Sequence, residues 1–192
     1  MNYQDYIWDL GGTLLDNYET STAAFVHTLQ DFGLTGSHDE VYNALKVSTD
    51  YAVRQFAPGD KEFLKSYKAN EAKELEHPIL FEGASELLAQ IIQQGGRNFL
   101  ISHRDDQVLE ILQKTQISAY FTEVVTATNG FKRKPDPESM LYLKDKYQIE
   151  SGLVIGDRPI DIEAGQAAGF SCYLFDNMRN LEEFVDIELE KE

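Results

Sequence analysis

Between Glu82 and Phe175 the chain switches repeatedly between helical and strand-like patterning, and no other feature restricts its fold as much. Glu82 to Gln94 is amphipathic through Leu87, Leu88, Ile91 and Ile92 and stops at Gly95-Gly96. A strand pattern, Arg97 to Ile101, follows, then a helix over Val108, Ile111 and Leu112. Next come a strand near Glu123 to Thr126 and a helix entered by Asp136-Pro137 with proline at its first position. Leu153-Val154-Ile155 reads as a strand, Ile160 to Ala168 as a helix stopped by Gly169, and Cys172 to Phe175 as the last strand. Such alternation produces a parallel sheet covered by helices on both faces.

The first strand, Tyr6 to Leu10, stands apart from this series. Residues 16 to 79 intervene with helical patterns and no convincing strand. One helix runs from Asn17 to about Phe32 before Gly33. A second covers Val41 and Leu45 behind a capping box, Ser37 to Glu40, and a third starts at Lys61 after Ala57-Pro58-Gly59-Asp60. The expected organisation is a core of 1–15 and 80–192 with a helical insert over 16–79. An insert leaving directly after Asp16, beside the end of the first strand, is placed to serve as a lid. The acidic tail, Leu181 to Glu192, reads as a short fraying helix.

Charge limits the partners. The net charge of −16, from 33 acidic against 17 basic residues, repels polyphosphate, so nucleic acid is not an expected partner. An anionic substrate needs a local gathering of cations, and Phe131-Lys132-Arg133-Lys134-Pro135 is the evident basic island. No apolar run approaches the ~20 residues of a membrane helix. The opening residues lack the pattern of a signal peptide, and the single cysteine, Cys172, forms no internal disulfide. The expected location is the cytoplasm. Nothing in the pattern speaks to oligomeric state.

In open α/β sheets ligands gather beyond the carboxyl ends of the strands. Asp9 follows the first strand, Ser102-His103-Arg104 the second and Asp157 the fourth. The loop after the third carries Lys132, Arg133 and Lys134. Carboxylates, a hydroxyl and a lysine converging there suit phosphate chemistry with a hard cation such as Mg²⁺, which favours carboxylate and carbonyl oxygens.

DLGGTLLD, LISHR, KRKPDP and VIGDRPIDIEAG, in this order, resemble the four motifs of the haloacid dehalogenase-like (HAD) superfamily. The nearest pattern is the phosphoglycolate phosphatase-like branch with a small helical cap, and Gly83 just beyond the insert belongs to it. The resemblance implies an α/β fold: a Rossmann-like parallel sheet in a three-layer sandwich, with an inserted all-helical cap. It implies a Mg²⁺-dependent hydrolase of a small phosphorylated molecule. Asp9 resembles the nucleophile that forms an aspartyl-phosphate, and Thr13 a substrate contact of the same motif. Ser102 resembles the hydroxyl that binds phosphoryl oxygens, and Lys134 the motif-three lysine. Asp157 resembles the metal-binding acid, with Asp9 and the carbonyl of Gly11 as further ligands and Asp161 as a supporting carboxylate. A plain helix-start acid, favoured by the dipole, is nearly as good a reading of Asp161. His103 departs from the asparagine often found there. It and Arg104 are candidate substrate contacts, although a lone histidine is more often structural. His27, His38 and His77 have no metal-ligand spacing.

Gly11 is the main departure. Phosphatases of this superfamily carry a second aspartate there, which protonates the leaving group and then activates water. General acid–base help is worth ~10²–10⁴ in rate. Glycine keeps a carbonyl for a metal and also permits a tight Gly-Gly turn. Turnover then needs a leaving group that requires no proton, a substitute group from the insert or from His103, or slow catalysis by solvent. Two alternatives follow: a phosphometabolite-binding protein with weak or no catalysis, and a phosphonate hydrolase using an insert lysine (Lys46, Lys61, Lys65, Lys68 or Lys73).

Overall fold

Five parallel strands form one sheet in the order β3-β2-β1-β4-β5. In the computed structural model, which describes residues 3–59, 61–74 and 76–185, they are β1 (Asp5–Trp8), β2 (Arg97–Ile101), β3 (Phe121–Val125), β4 (Gly152–Gly156) and β5 (Ser171–Leu174). β1 lies between β2 and β4, with Trp8 paired to Leu100 on one side and to Ile155 on the other. The central position explains why all four residues of β1 are buried.

The period-two alternation of β1 sorts its side chains into two cores. Tyr6 and Trp8 enter one with Leu100, Leu153 and Ile155. That core is packed by α5 (Ala84–Gln93), α6 (Gln107–Lys114) and α9 (Met178–Val185) through Leu87, Leu112 and Leu181. Ile7 enters the other with Phe99, Ile101 and Val154, against Met140 and Leu143 of α7 (Glu138–Tyr147) and Ala164 of α8 (Pro159–Ala167). The arrangement is a three-layer α/β sandwich, and each large apolar side chain buried in it contributes about 2 kcal/mol. Asn98, wholly buried on β2, is satisfied by accepting from Trp8 Nε1 at 2.9 Å and donating to the carbonyls of Leu88 and Tyr120.

The chain divides into two compact units, residues 1–15 with 80–192 and residues 16–79. Among the described residues the second unit contains four helices and no strand: α1 (Asn17–Asp31), α2 (His38–Val47), α3 (Thr49–Phe56) and α4 (Lys61–Glu74). Its own core centres on Phe25, which meets the rings of Phe63 and Tyr67 edge-on at 5.0 Å each. Of its lysines, Lys68 donates to Glu71 at 2.7 Å and Lys46 lies 5.3 Å over the Tyr42 ring.

The sequence pattern gave one helix between Ser37 and Ala57, where the structure has two. Ser48 adopts extended backbone at φ −174°, ending α2 and capping α3 by accepting the Tyr51 N–H. Pro137 precedes α7 as its cap rather than filling its first position. The last helix begins at Met178, and the remainder of the expected tail helix, 186–192, lies outside the described residues.

Candidate functional site

The carboxyl ends of β1, β2 and β4 bring the charged loops together. Asp9 follows β1 directly, and its N–H continues the sheet ladder to the Ile155 carbonyl at 2.9 Å. The chain then turns sharply around the Leu10 carbonyl, which accepts from Leu14 at 3.0 Å and Leu15 at 2.9 Å. This turn holds Asp9 on an extension of a central, buried strand.

Gly12, not Gly11, carries the left-handed conformation of the turn, with φ +83°. A Cβ on Gly12 would stand 2.4 Å from Asp157 Oδ2, so the missing side chain is also the space that the Asp157 carboxylate uses. Gly156 plays the same part at the end of β4, where a Cβ would come within 2.4 Å of the Asp161 side chain. Gly11 is not among the glycines with a positive φ.

Lys134 organises the acids. Its ammonium donates to Asp9 Oδ1 at 2.6 Å and forms an ion pair with Asp161 Oδ1. The lysine and Asp161 side chains are each only 2 % exposed, a placement tolerable because the charges are paired. Asp161 Oδ2 also accepts the Arg158 N–H at 3.1 Å. Asp161 thus closes the start of α8 and pairs with the lysine. Asp9 has a pKa raised above the ordinary carboxylate value, chiefly by burial, with Lys134 opposing the shift. Asp157 is pushed up to about 6 by burial and then by the neighbouring Asp9 charge.

Asp9, Asp157 and Asp161 each offer a carboxylate oxygen, all within 4.8 Å of one another. Asp161 is already engaged by Lys134 and the Arg158 N–H. Asp9 and Asp157 are therefore the pair suited to a hard divalent cation, which would offset the charge of two neighbouring carboxylates. The donor set fits Mg²⁺.

The structure gives three further motif residues their partners. Thr13, expected at the substrate, is wholly buried and its hydroxyl lies 3.4 Å from Asp157 Oδ1 as donor. That contact spans the loops after β1 and β4. His103 is half-buried and accepts the Lys134 backbone N–H on Nε2 at 2.9 Å, while its pKa falls to about 4 through burial and the adjacent Lys134 and Arg133 charges. One ring nitrogen is thus committed to the Lys134 backbone. Ser102 is buried at the end of β2, with its N–H on the Val125 carbonyl at 2.9 Å and its hydroxyl oxygen accepting the Arg104 N–H at 3.3 Å. The Arg104 carbonyl accepts from Ala127 at 2.8 Å, tying together the loops after β2 and β3. Sequence reasoning missed Gly156 and the Arg158 N–H as supports of Asp161. The signal for the first was there, a glycine immediately before Asp157.

No helix among the described residues is long and apolar enough to cross a membrane. Among curated relatives, a phosphoglycolate phosphatase of Aliivibrio fischeri is 29% identical, covering 88% of this chain and 81% of its own. The pyrophosphatase PpaX of Oceanobacillus iheyensis is 26% identical, with coverage of 88% and 81%. The crystal structure of a hydrolase from Streptococcus pneumoniae TIGR4 superposes with a TM-score of 0.94 at 70% identity, covering 97% of this chain and 100% of that one. The family of haloacid dehalogenase-like hydrolases matches residues 6–175. With its five-stranded parallel sheet and acids at the strand ends, the chain belongs to that family of enzymes.

Proposed function

We propose that the protein is a Mg²⁺-dependent phosphatase of a small phosphorylated metabolite, with Asp9 as its nucleophile. One observation carries the reading: the Asp9 carboxylate, on a rigid strand end, faces the Lys134 ammonium at 2.6 Å and lies beside Asp157. A carboxylate attacks phosphorus well only where cations offset the charge of the phosphoryl oxygens. The names of the two sequence relatives, a phosphatase and a pyrophosphatase, support P–O bond hydrolysis. On this reading residues 1–15 with 80–192 are the catalytic unit and 16–79 the cap.

An Asp9 oxygen forms a bond to phosphorus as the bond from phosphorus to the leaving oxygen breaks, and that oxygen departs with the electron pair. Lys134 and the Ser102 hydroxyl stabilise the equatorial oxygens. Water then attacks the phospho-aspartate, releasing phosphate, restoring the Asp9 carboxylate and passing its proton to solvent. Asp9, Asp157 and the Gly11 carbonyl would hold Mg²⁺, which when bound neutralises phosphoryl charge. Thr13 steadies Asp157, and Asp161 steadies Lys134.

The test is Mg²⁺-dependent phosphate release from an aryl phosphate by wild type and Asp9→Asn. Wild-type release that vanishes in Asp9→Asn is the expected result; unchanged turnover in the variant overturns the assignment. A second reading, a phosphometabolite-binding protein, is favoured by one feature, the absence of a side-chain acid at Gly11 with His103 committed elsewhere. It predicts saturable, Mg²⁺-dependent thermal stabilisation by phosphate without turnover.

A further inference from the structure

We infer that His103 is a positioning residue for Lys134, which it anchors by accepting the lysine's backbone N–H on Nε2. The inference rests on the reading of Lys134 as the cation that faces the phosphoryl group. The contact joins the loop after β2 to the loop after β3 at 2.9 Å. From the same residue the side chain reaches back to Asp9 and Asp161. The Lys134 backbone therefore sets the height of its ammonium, and the His103 ring holds that backbone.

The chemistry of the bond assigns the tautomer. A backbone N–H can be accepted only by a ring nitrogen with a free lone pair, so the proton resides on Nδ1. An imidazolium would present a second donor to the Lys134 N–H, and the anchor would be lost. Burial first, and then the Lys134, Arg133 and Arg158 charges, disfavour protonation of the ring, while Asp161 favours it. Asparagine, the residue often found at this place in the family, is shorter and does not project an acceptor to the position of Nε2. Glutamine does, through Oε1.

Substitution is structurally tolerable. His103 lines a cavity of about 140 Å³ together with Ser102, Thr126, Phe131, Arg133 and Ser139, so a leucine at this place has room.

The experiment compares wild type, His103→Leu and His103→Gln. Long-range ¹H–¹⁵N spectra of the wild type should show Nδ1 protonated and Nε2 bare at neutral pH. The Lys134 amide should be protected from hydrogen exchange in wild type and His103→Gln and should lose protection in His103→Leu. With an aryl phosphate, His103→Leu should lower kcat roughly ten- to hundredfold with KM little changed, and His103→Gln should recover most of it. A ring protonated on Nε2, unchanged Lys134 exchange in His103→Leu, or unchanged kcat in that variant each overturns the inference. If wild type shows no turnover, the phosphatase reading fails, and the tautomer and exchange measurements still decide the role of His103.

Discussion

The Lys134 ammonium donates to Asp9 Oδ1 at 2.6 Å, joining two residues 125 positions apart in the chain. The same ammonium is shared with Asp161, so one cation holds two carboxylates that would otherwise repel each other in a buried setting. Breaking a buried pair by removing one partner costs about 3–5 kcal/mol, because the remaining charge is left uncompensated. Lys134→Met should be destabilised by that order in urea unfolding at neutral pH, in addition to losing activity. Adding Asp161→Asn should recover part of the loss, since the three groups act as a unit. Strict additivity of the two substitutions would show that the ion pair does not carry the stability assigned to it.

Gly12→Ala tests the close approach of the first loop to Asp157. The new Cβ has a left-handed backbone to strain, at φ +83°, and the Asp157 carboxylate 2.4 Å away to displace. The conformational part alone costs more than about 1 kcal/mol. Displacing an acid assigned to the metal should also raise the Mg²⁺ concentration for half-maximal stabilisation about ten- to hundredfold. A magnesium titration followed by thermal unfolding reads both effects. A variant with wild-type Mg²⁺ affinity would mean that Asp157 does not hold the cation.

Local chemistry made much of this legible beforehand. The switch between periods marked every strand of the sheet, and Asp9, Lys134 and Asp157 stand where the strand ends place them. What stayed hidden depends on proximity in space. Nothing in the run of residues around His103 tells that its ring meets the Lys134 backbone 31 positions later. Nor does the motif around Thr13 tell that its hydroxyl faces Asp157, 144 positions away. The break between α2 and α3 escaped because Ser48, an ordinary residue in extended backbone, interrupts a pattern that has no glycine or proline there. Either glycine of the Gly11-Gly12 pair suits a tight turn in the sequence, and only the backbone shows that Gly12 takes the positive φ.

The pKa of Asp157 gives a pH dependence with a definite sign. Its folded value, about 6, lies above its ordinary 3.8. A carboxyl with a raised pKa contributes stability that is fully present below the ordinary value and lost as pH rises through the folded one. Above that point the metal-free protein carries an ionised, half-buried acid beside Asp9, and a cation has most to relieve. The stabilisation by Mg²⁺ should therefore grow between pH ~5 and pH ~7. Thermal unfolding with and without Mg²⁺ across that window checks it, and an effect that is flat or falls with pH would contradict the assignment.

The consequence of Gly11 can be read from the leaving group. His103 accepts the Lys134 backbone N–H, so on this reading its Nε2 has no proton to give to the leaving group. Without an acid, the departing oxygen leaves as an anion, and the rate should follow its basicity steeply. An aryl or acyl phosphate, whose leaving group is a weak base, should be hydrolysed, and an alkyl phosphate hardly at all. Gly11→Asp should change this selectively. Gly11 is not among the glycines with a positive φ, so the strain that Gly12→Ala meets is not expected there. Restored general acid help is worth ~10²–10⁴, and the gain should be concentrated on the alkyl ester, where proton transfer matters most. Measuring kcat/KM for both esters in both proteins isolates the effect. An equal gain on aryl and alkyl phosphates would mean that the new carboxylate acts through charge or folding. Alkyl phosphate turnover already high in wild type would mean that a group elsewhere in the protein supplies the proton.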